Sequence, residues 1–385
     1  MTKFSERTGP IRLGMVGGGQ GAMIGAVHRI AARLDGAYTL VAGALSSTED
    51  KARASAAEIG LAEDRTYTDF TEMAKREARL KDGIEAVAIV TPNHMHMPVA
   101  REFLKRGIHV ICDKPLAGTL ADAKKLKAAA DKADALFVLT HNYTGYPLVR
   151  EAQARVAAGE LGEIRLVQVE YAQDWLAEEP DPDNKQAAWR TDPARSGAGG
   201  ATGDIGTHAW NLARFVTGLK PEAIAADLQA FVPGRQLDDN GHVLLRFEGG
   251  ARGMLWCSQV AAGKENDLRL RVYGTKAGLE WHQENPNQLF VTPLGGATQI
   301  VTRASGATGE DSRRLTRVPP GHPEGYLEGF ANIYAEAAQA IRAARTGASL
   351  PEGVTFPSID DGVEGVAFVD ACVRSSKRNA AWVSI

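Results

Sequence analysis

The sequence predicts an α/β first half, built as a doubly wound parallel sheet, followed by an α+β domain with a large, mostly antiparallel open sheet. Three observations carry this. Short apolar runs alternate with helical stretches up to residue 143, a glycine-rich turn joins the first strand to the first helix, and from residue 144 strands follow one another with few helices between them. The chain of 385 residues holds two or so domains at roughly 150 residues each. We therefore set the domains at 1–143 and 144–385.

In the first half, Ile11-Arg12-Leu13-Gly14-Met15-Val16 is a compact apolar strand that runs into Gly17-Gly18-Gly19-Gln20-Gly21-Ala22-Met23-Ile24-Gly25, and residues 26–34 then read as helix. Strand, glycine turn and helix are the context that a dinucleotide-binding fingerprint requires, because glycines let backbone N–H groups approach a pyrophosphate at a helix N-terminus. A second strand, residues 38–45, follows at βαβ distance. The half is a Rossmann domain on this reading, with Gly17, Gly19, Gln20, Ala22, Met23 and Ile24 as candidate cofactor contacts. Two registers fit the glycines: Gly17, Gly19 and Ala22, or the same first pair with Gly25 as the close-packing residue.

Ser46 and Ser47 stand where an acidic residue usually holds the adenosine ribose. Hydroxyls bond a ribose or a 2′-phosphate, and Lys51 and Arg53 lie nearby. With no arginine immediately after the strand, NAD is the expected cofactor, and NADP is not excluded.

Helices are expected over 51–59 and 70–79 and a strand over 84–90. That strand ends on Thr91-Pro92-Asn93-His94-Met95-His96, which puts Thr91, Asn93 and His96 at the carboxyl edge of a parallel sheet, where ligands bind. A helix over 98–106 leads to the strand 108–112, which ends on Asp113-Lys114-Pro115 and presents Lys114 at the same edge. A helix over 119–133 and a strand over 136–139 then give way to His141-Asn142-Tyr143.

In the second half a helix over 147–158 ends at Gly159. Strands are expected over 164–171, 223–231, 241–247, 252–259, 268–273 and 278–282, and tail helices over 325–345 and 363–375. Residues 173–203 form a stretch rich in Asp, Pro and Gly with Trp175, Trp189 and Arg190, unusual in length for a loop without function. It leads to Gly203-Asp204-Ile205-Gly206-Thr207-His208. Four residues is about one helical turn, so Asp204 and His208 share one face if a helix opens here. Asp204 as an N-cap and His208 as an interior histidine account equally well for the pair alone. The dinucleotide fingerprint upstream turns the choice toward chemistry. Asp174, Trp189, Arg190 and His322 are the remaining candidate substrate contacts, with Tyr326 beside them.

Composition narrows the function. Lys plus Arg number 44 against 47 Asp plus Glu, which disfavours a general nucleic-acid binder. Cys112, Cys257 and Cys372 are scattered and lack paired spacing, so neither a disulfide framework nor a zinc site is expected, and a reducing cytoplasm fits. Residues 1–10 read as a polar arm, and no apolar run reaches the roughly 18 residues of a membrane span. His94 and His96 diverge as alternate residues of a strand end and have no evident third ligand, so no metal is expected.

The glycine turn, Thr91-Pro92-Asn93 with His96, Asp113-Lys114-Pro115, and Gly203-Asp204 with His208 together resemble the Gfo/Idh/MocA oxidoreductases over nearly the whole chain. Among them, scyllo-inositol dehydrogenases and enzymes that also oxidise L-glucose look closest. The resemblance implies hydride transfer between a ring carbon of a polyol or sugar and the nicotinamide of NAD. It makes Lys114 the partner of the reacting hydroxyl, His208 the general base and Asp204 its orienter, and adds Asn142 and Asp113 to the cofactor contacts and Tyr143 to the substrate contacts. It also implies a homo-oligomer, dimer or tetramer, formed through the second sheet. Relatives that use bound NAD for transient oxidation make a glycosidase the alternative. Asp113 stands where the family has Glu, and the glycine turn is longer than usual.

Overall fold

In the computed structural model, the described residues are 9–179, 181 and 184–385; residues 1–8 of the expected arm, and 180, 182 and 183 of the long stretch, lie outside them. In chain order the first elements are β1 (Ile11–Gly17), α1 (Met23–Leu34), β2 (Tyr38–Ala44), α2 (Glu49–Glu58), α3 (Phe70–Glu77), β3 (Ala86–Val90), α4 (His96–Leu104), β4 (His109–Cys112), α5 (Leu120–Ala130) and β5 (Phe137–Leu139). Next come α6 (Pro147–Ala157), β6 (Ile164–Ala172), α7 (Lys185–Arg190), α8 (Pro193–Ser196), α9 (Thr207–Thr217), β7 (Pro221–Gln229), β8 (Asn240–Phe247), β9 (Arg252–Ser258), β10 (Asp267–Gly274) and β11 (Ala277–His282). The chain closes with β12 (Gln288–Pro293), β13 (Gln299–Thr302), α10 (Glu310–Arg314), α11 (Tyr326–Thr346), α12 (Ile359–Ser376) and β14 (Val383–Ser384).

The chain forms two compact units. The first comprises 1–117, 121–145 and 326–363. Its sheet is wholly parallel in the order β2-β1-β3-β4-β5. Strand order reverses between β1 and β3, and their carboxyl ends bracket the crevice typical of dinucleotide sites. All five residues of β3 are buried, which is why these strands read as unbroken apolar runs.

The tail helix departs from the expected boundary. We placed 144–385 in one domain, yet α11 belongs to the first unit. Its Phe330, Ile333, Tyr334, Ala337 and Ile341 join Ile11, Leu13, Met15, Val27 and Tyr38 in one core. The spacing of these residues marks a buried helical face but carries no information about which sheet covers it.

The second unit comprises 118–120, 146–325 and 364–385. Its nine strands run β13-β12-β11-β10-β6-β9-β8-β7-β14. Only β6 and β9 pair in parallel; the other pairs are antiparallel. In β6, Val167, Val169 and Tyr171 point inward and Leu166 outward, the alternation of a sheet covered on one side. Helix α9 packs on β6, β9 and β10, and Trp210 stacks on Phe368 of α12 with ring centroids 4.6 Å apart. Strands β12 and β13 were not expected; they are short, and the Pro293–Gly296 turn between them obscures their pattern. The stretch 173–203 is not structureless either, for α7 and α8 lie within it. Asn184 and Asp192 cap these two helices, each accepting backbone N–H bonds.

Candidate active site

In the first unit, the turn after β1 is made of backbone. Gly17, Gly18 and Gly21 adopt φ of +81°, +73° and +77°, conformations that glycine enters without steric cost. Ala22 leads into α1 and makes no side-chain cap, so no capping side chain covers the first-turn N–H groups. Geometry also selects the register. A Cβ on Gly25 would lie 2.4 Å from Gly18 Cα and 2.5 Å from its carbonyl oxygen, so Gly25 is the close-packing residue.

Ile24 packs against the core, while Gln20 and Met23 are exposed and the Gln20 N–H donates to Ser55 Oγ at 3.1 Å. After β2, Ser46 Oγ accepts the Thr48 N–H at 3.3 Å and Ser47 is exposed. Arg53 pairs with Glu49 and Glu63, each at 2.8 Å.

The carboxyl edge of β3, β4 and β5 gathers the remaining candidates. Thr91 Oγ1 and Asn142 Nδ2 are buried and have no hydrogen-bond partner among the described residues. Asn93 and Tyr143 are buried as well. Asp113 Oδ1 accepts the Lys114 N–H at 2.9 Å and the Thr140 hydroxyl at 3.0 Å. Burial opposes ionisation of Asp113, but His28, Lys114 and His96 outweigh it and hold the carboxyl well below the usual carboxylate range. His141 is driven the other way: burial, with help from Lys114, pushes its imidazole down to about 3.

His96 braces the edge of the sheet. Its Nδ1 lies 2.7 Å from the Pro115 carbonyl and its Nε2 2.8 Å from the Thr91 carbonyl; burial lowers its pKa, and the neutral ring donates its one N–H to one of the two carbonyls. The Lys114–Pro115 peptide that it braces is cis.

The glycine cradle, the uncapped start of α1 and the two orphaned polar atoms at one sheet edge fit a dinucleotide, whose acceptors and donors would satisfy them.

In the second unit the site is made of side chains. Asp238 accepts the N–H groups of Gly200 and Thr202 and the Thr202 hydroxyl, at 2.7, 2.8 and 2.7 Å. These bonds start a widened turn at Thr202–Gly206, closed by a bond from the Thr207 N–H to the Thr202 carbonyl, before α9 begins. Asp204 therefore sits in a π turn and not, as expected, in the first turn of a regular α-helix. Nor does it cap α9, whose N-cap is Gly206 with no side-chain bond. Instead its Oδ2 accepts Arg190 Nε at 3.1 Å and Gln259 Nε2 at 2.9 Å.

The Arg190 guanidinium lies over the Trp189 ring at 4.2 Å and 5.9 Å from that of Trp175. His208 is buried in the first turn of α9 with its ring edge-on to Tyr171. Tyr171 and Gln173 both donate to Asn266 at 2.7 Å. Asp174 accepts the Gly263 N–H at 2.9 Å. His322 is exposed, and its carbonyl accepts from the buried Arg303. The sequence reading missed Gln259, Asn266 and Asp238. Gln259 alone left a signal, as a polar residue at the end of an alternating strand.

A parallel sheet with a glycine-lined crevice, joined in sequence to an open-sheet unit carrying a held carboxylate and a buried imidazole, defines an NAD-binding oxidoreductase. Sequence comparison agrees. The profile of the oxidoreductase family with an NAD-binding Rossmann fold matches residues 11–141, and that of the GFO/IDH/MocA C-terminal domain matches residues 149–280. An oxidoreductase from Sinorhizobium meliloti is 62% identical with a TM-score of 0.90, covering 98% of this chain and 100% of its own. An inositol dehydrogenase homologue from Azotobacter vinelandii, solved with NADH and myo-inositol, is 37% identical with a TM-score of 0.93, covering 98% of each chain. The oxidoreductase YfiI of Bacillus subtilis is 34% identical over 97% of this chain and 96% of its own. The chain belongs to the Gfo/Idh/MocA family of oxidoreductases, and its first unit is an NAD-binding Rossmann domain.

Proposed function

We propose that the protein oxidises a ring hydroxyl of a cyclic polyol or sugar, of the scyllo-inositol or L-glucose type. The observation that carries this reading is the Asp204 carboxylate, held by Arg190 and Gln259 and followed one turn later by His208. Fixed donors and acceptors beside indole rings suit a molecule with hydroxyls on its rim and C–H groups on its faces. The myo-inositol bound by the Azotobacter homologue is a molecule of that class.

Lys114 hydrogen-bonds the reacting hydroxyl and eases charge on its oxygen. His208 takes the hydroxyl proton as general base, and Asp204 orients substrate or base. Gly17, Gly19, Ala22, Met23 and Ile24 offer backbone to the cofactor, Ser46 and Ser47 its ribose contacts, and Thr91, Asn93 and Asn142 its contacts at the sheet edge. Bound NAD supplies the hydride acceptor.

Two further parts of the proposal concern setting. Three buried, unpaired thiols suit the cytoplasm. Leu166, Leu244, Met254, Tyr273 and Ile300 stand exposed on the outer face of the nine-stranded sheet, and this face pairs with a second copy of the chain, which light scattering in solution tests.

The test of the activity is NADH absorbance on mixing protein and NAD with a panel of inositols, hexoses and their glycosides. Net NADH formation supports a dehydrogenase. Glycoside cleavage without NADH formation overturns it in favour of oxidation–elimination chemistry.

A further inference from the structure

A buried polar chain in the first unit has no part in the acid–base reading. His28 of α1 is wholly buried. Its Nδ1 lies 2.9 Å from the Tyr334 hydroxyl of α11, and its Nε2 points at Asp113 Oδ1 from 3.9 Å. The rings of Phe330 and Tyr334 hold the imidazole at centroid distances of 5.2 and 5.8 Å, and the Tyr38 hydroxyl donates to the Tyr334 carbonyl at 3.0 Å.

Charge places a proton on Nε2: a lone pair there would face the Asp113 carboxylate, whereas an N–H is attracted to it. At 3.9 Å that N–H falls short of a hydrogen bond, whose usual limit is about 3.2 Å. It is a buried donor that makes no hydrogen bond and faces Asp113 from just beyond bonding distance, an arrangement that a shift of under about 1 Å would relieve.

The helix that carries His28 is the one the glycine turn leads into. Its first turn would hold the cofactor pyrophosphate, and His28 follows Met23 by five residues, about 7.5 Å along a rigid axis. At the other end of the contact, Asp113 holds the Lys114 N–H. We propose that His28 is a positioning residue that couples the two: dinucleotide binding at the start of α1 closes the His28–Asp113 contact, and Asp113 in turn fixes the turn that carries Lys114. The inference rests on NAD binding by the first unit, and on the function proposed above only for the role of Lys114.

A double-mutant cycle on NADH affinity, read by the fluorescence of NADH titrated with full-length protein, tests it. His28→Asn weakens NADH binding about fivefold when Asp113 is present and less than twofold in the Asp113→Asn background. Tyr334→Phe keeps the ring that packs on His28 and removes only its anchor; it weakens NADH binding about threefold, again only when Asp113 is present, and guards against a His28 variant that fails to fold. Equal weakening in both backgrounds would reduce His28 to a structural role and overturn the proposal, as would changes under twofold throughout. The readout needs no substrate, so an inactive substrate panel would remove the dehydrogenase reading and leave this coupling to be decided by itself.

Discussion

Residues 17–25 and residues 199–208 are both glycine-rich stretches that feed a helix, and the two units use them in opposite ways. In the first, three glycines take positive φ, no side chain caps α1, and backbone N–H groups are left for a ligand. In the second, none of Gly199, Gly200, Gly203 and Gly206 has positive φ, and Asp238 already occupies the N–H groups of Gly200 and Thr202. An internal carboxylate fills the place where an anion would otherwise bind. A glycine-rich helix start is thus an anion site only when the protein has not capped it from within. Once capped, it is a rigid platform for side chains.

The largest effect should come from the proposed acid–base side chains, His208 on that platform and Lys114 just after β4 in the first unit. His208→Ala is expected to lower turnover by about 10² to 10⁴, with Lys114→Ala in the same range, while NADH affinity measured by fluorescence stays within a few-fold. If either variant lost NADH binding and turnover in equal measure, the division of labour between the two turns would fail.

Second in size is an acid effect confined to the first unit. The His141 imidazole has an ordinary value of 6.5 and is lowered by burial to about 3. Between those values the unfolded chain takes up a proton that the folded chain refuses, so stability is lost as pH falls from 6.5 toward 3. Each pKa unit corresponds to about 1.4 kcal/mol, so by about pH 4 the loss is roughly 3 kcal/mol. His96 and Asp113, both lowered, act in the same direction. Urea unfolding of the wild type and His141→Gln at neutral pH and about pH 4 checks the sign, and identical pH dependence in the two proteins would contradict it.

Gly25→Ala, third in size, attacks the backbone turn. Its Cβ would meet Gly18 Cα at 2.4 Å, and because the obstacle is backbone, relief requires the turn itself to move. A cost of about 1–3 kcal/mol is typical of such overpacking. NADH affinity should fall by tenfold or more, and unchanged affinity would return the close-packing role to Ala22.

These contrasts also explain what the sequence made legible. Positive φ favours glycine, so the dinucleotide turn left its mark in residue type, as did the apolar strands buried on both faces. The register within the turn did not, since Ala22 and Gly25 are both small and only the approach of Gly18 separates them. The Asp204–His208 pair was visible as a spacing, but the π turn that presents it depends on Asp238, distant along the chain and unremarkable in its own neighbourhood. Likewise α11 announced a buried face in Phe330, Ile333 and Tyr334, with nothing to say that Leu13 and Met15 would cover it. His28 read as one more helical residue, because its partners Tyr334 and Asp113 lie in elements far from it in sequence.

The smallest predicted effect bears most directly on the comparison. Asp238→Asn is nearly isosteric, but it replaces a carboxylate that accepts three hydrogen bonds with an amide that has one acceptor oxygen and an NH2 group. Burial raises the Asp238 pKa while the Gly200 and Thr202 bonds oppose that rise. The site therefore stabilises the carboxylate only in part, and a neutral replacement is not catastrophic. The amide oxygen keeps the two Thr202 bonds, and its NH2 group meets the Gly200 N–H donor on the other side, which costs about 1–2 kcal/mol. Since the widened turn begins at Thr202, the loss should reach Asp204 and His208 as a several-fold fall in kcat with NADH affinity unchanged. If stability falls and kcat does not, Asp238 braces the fold without setting the platform, and the second turn's resemblance to a capped helix start is structural alone.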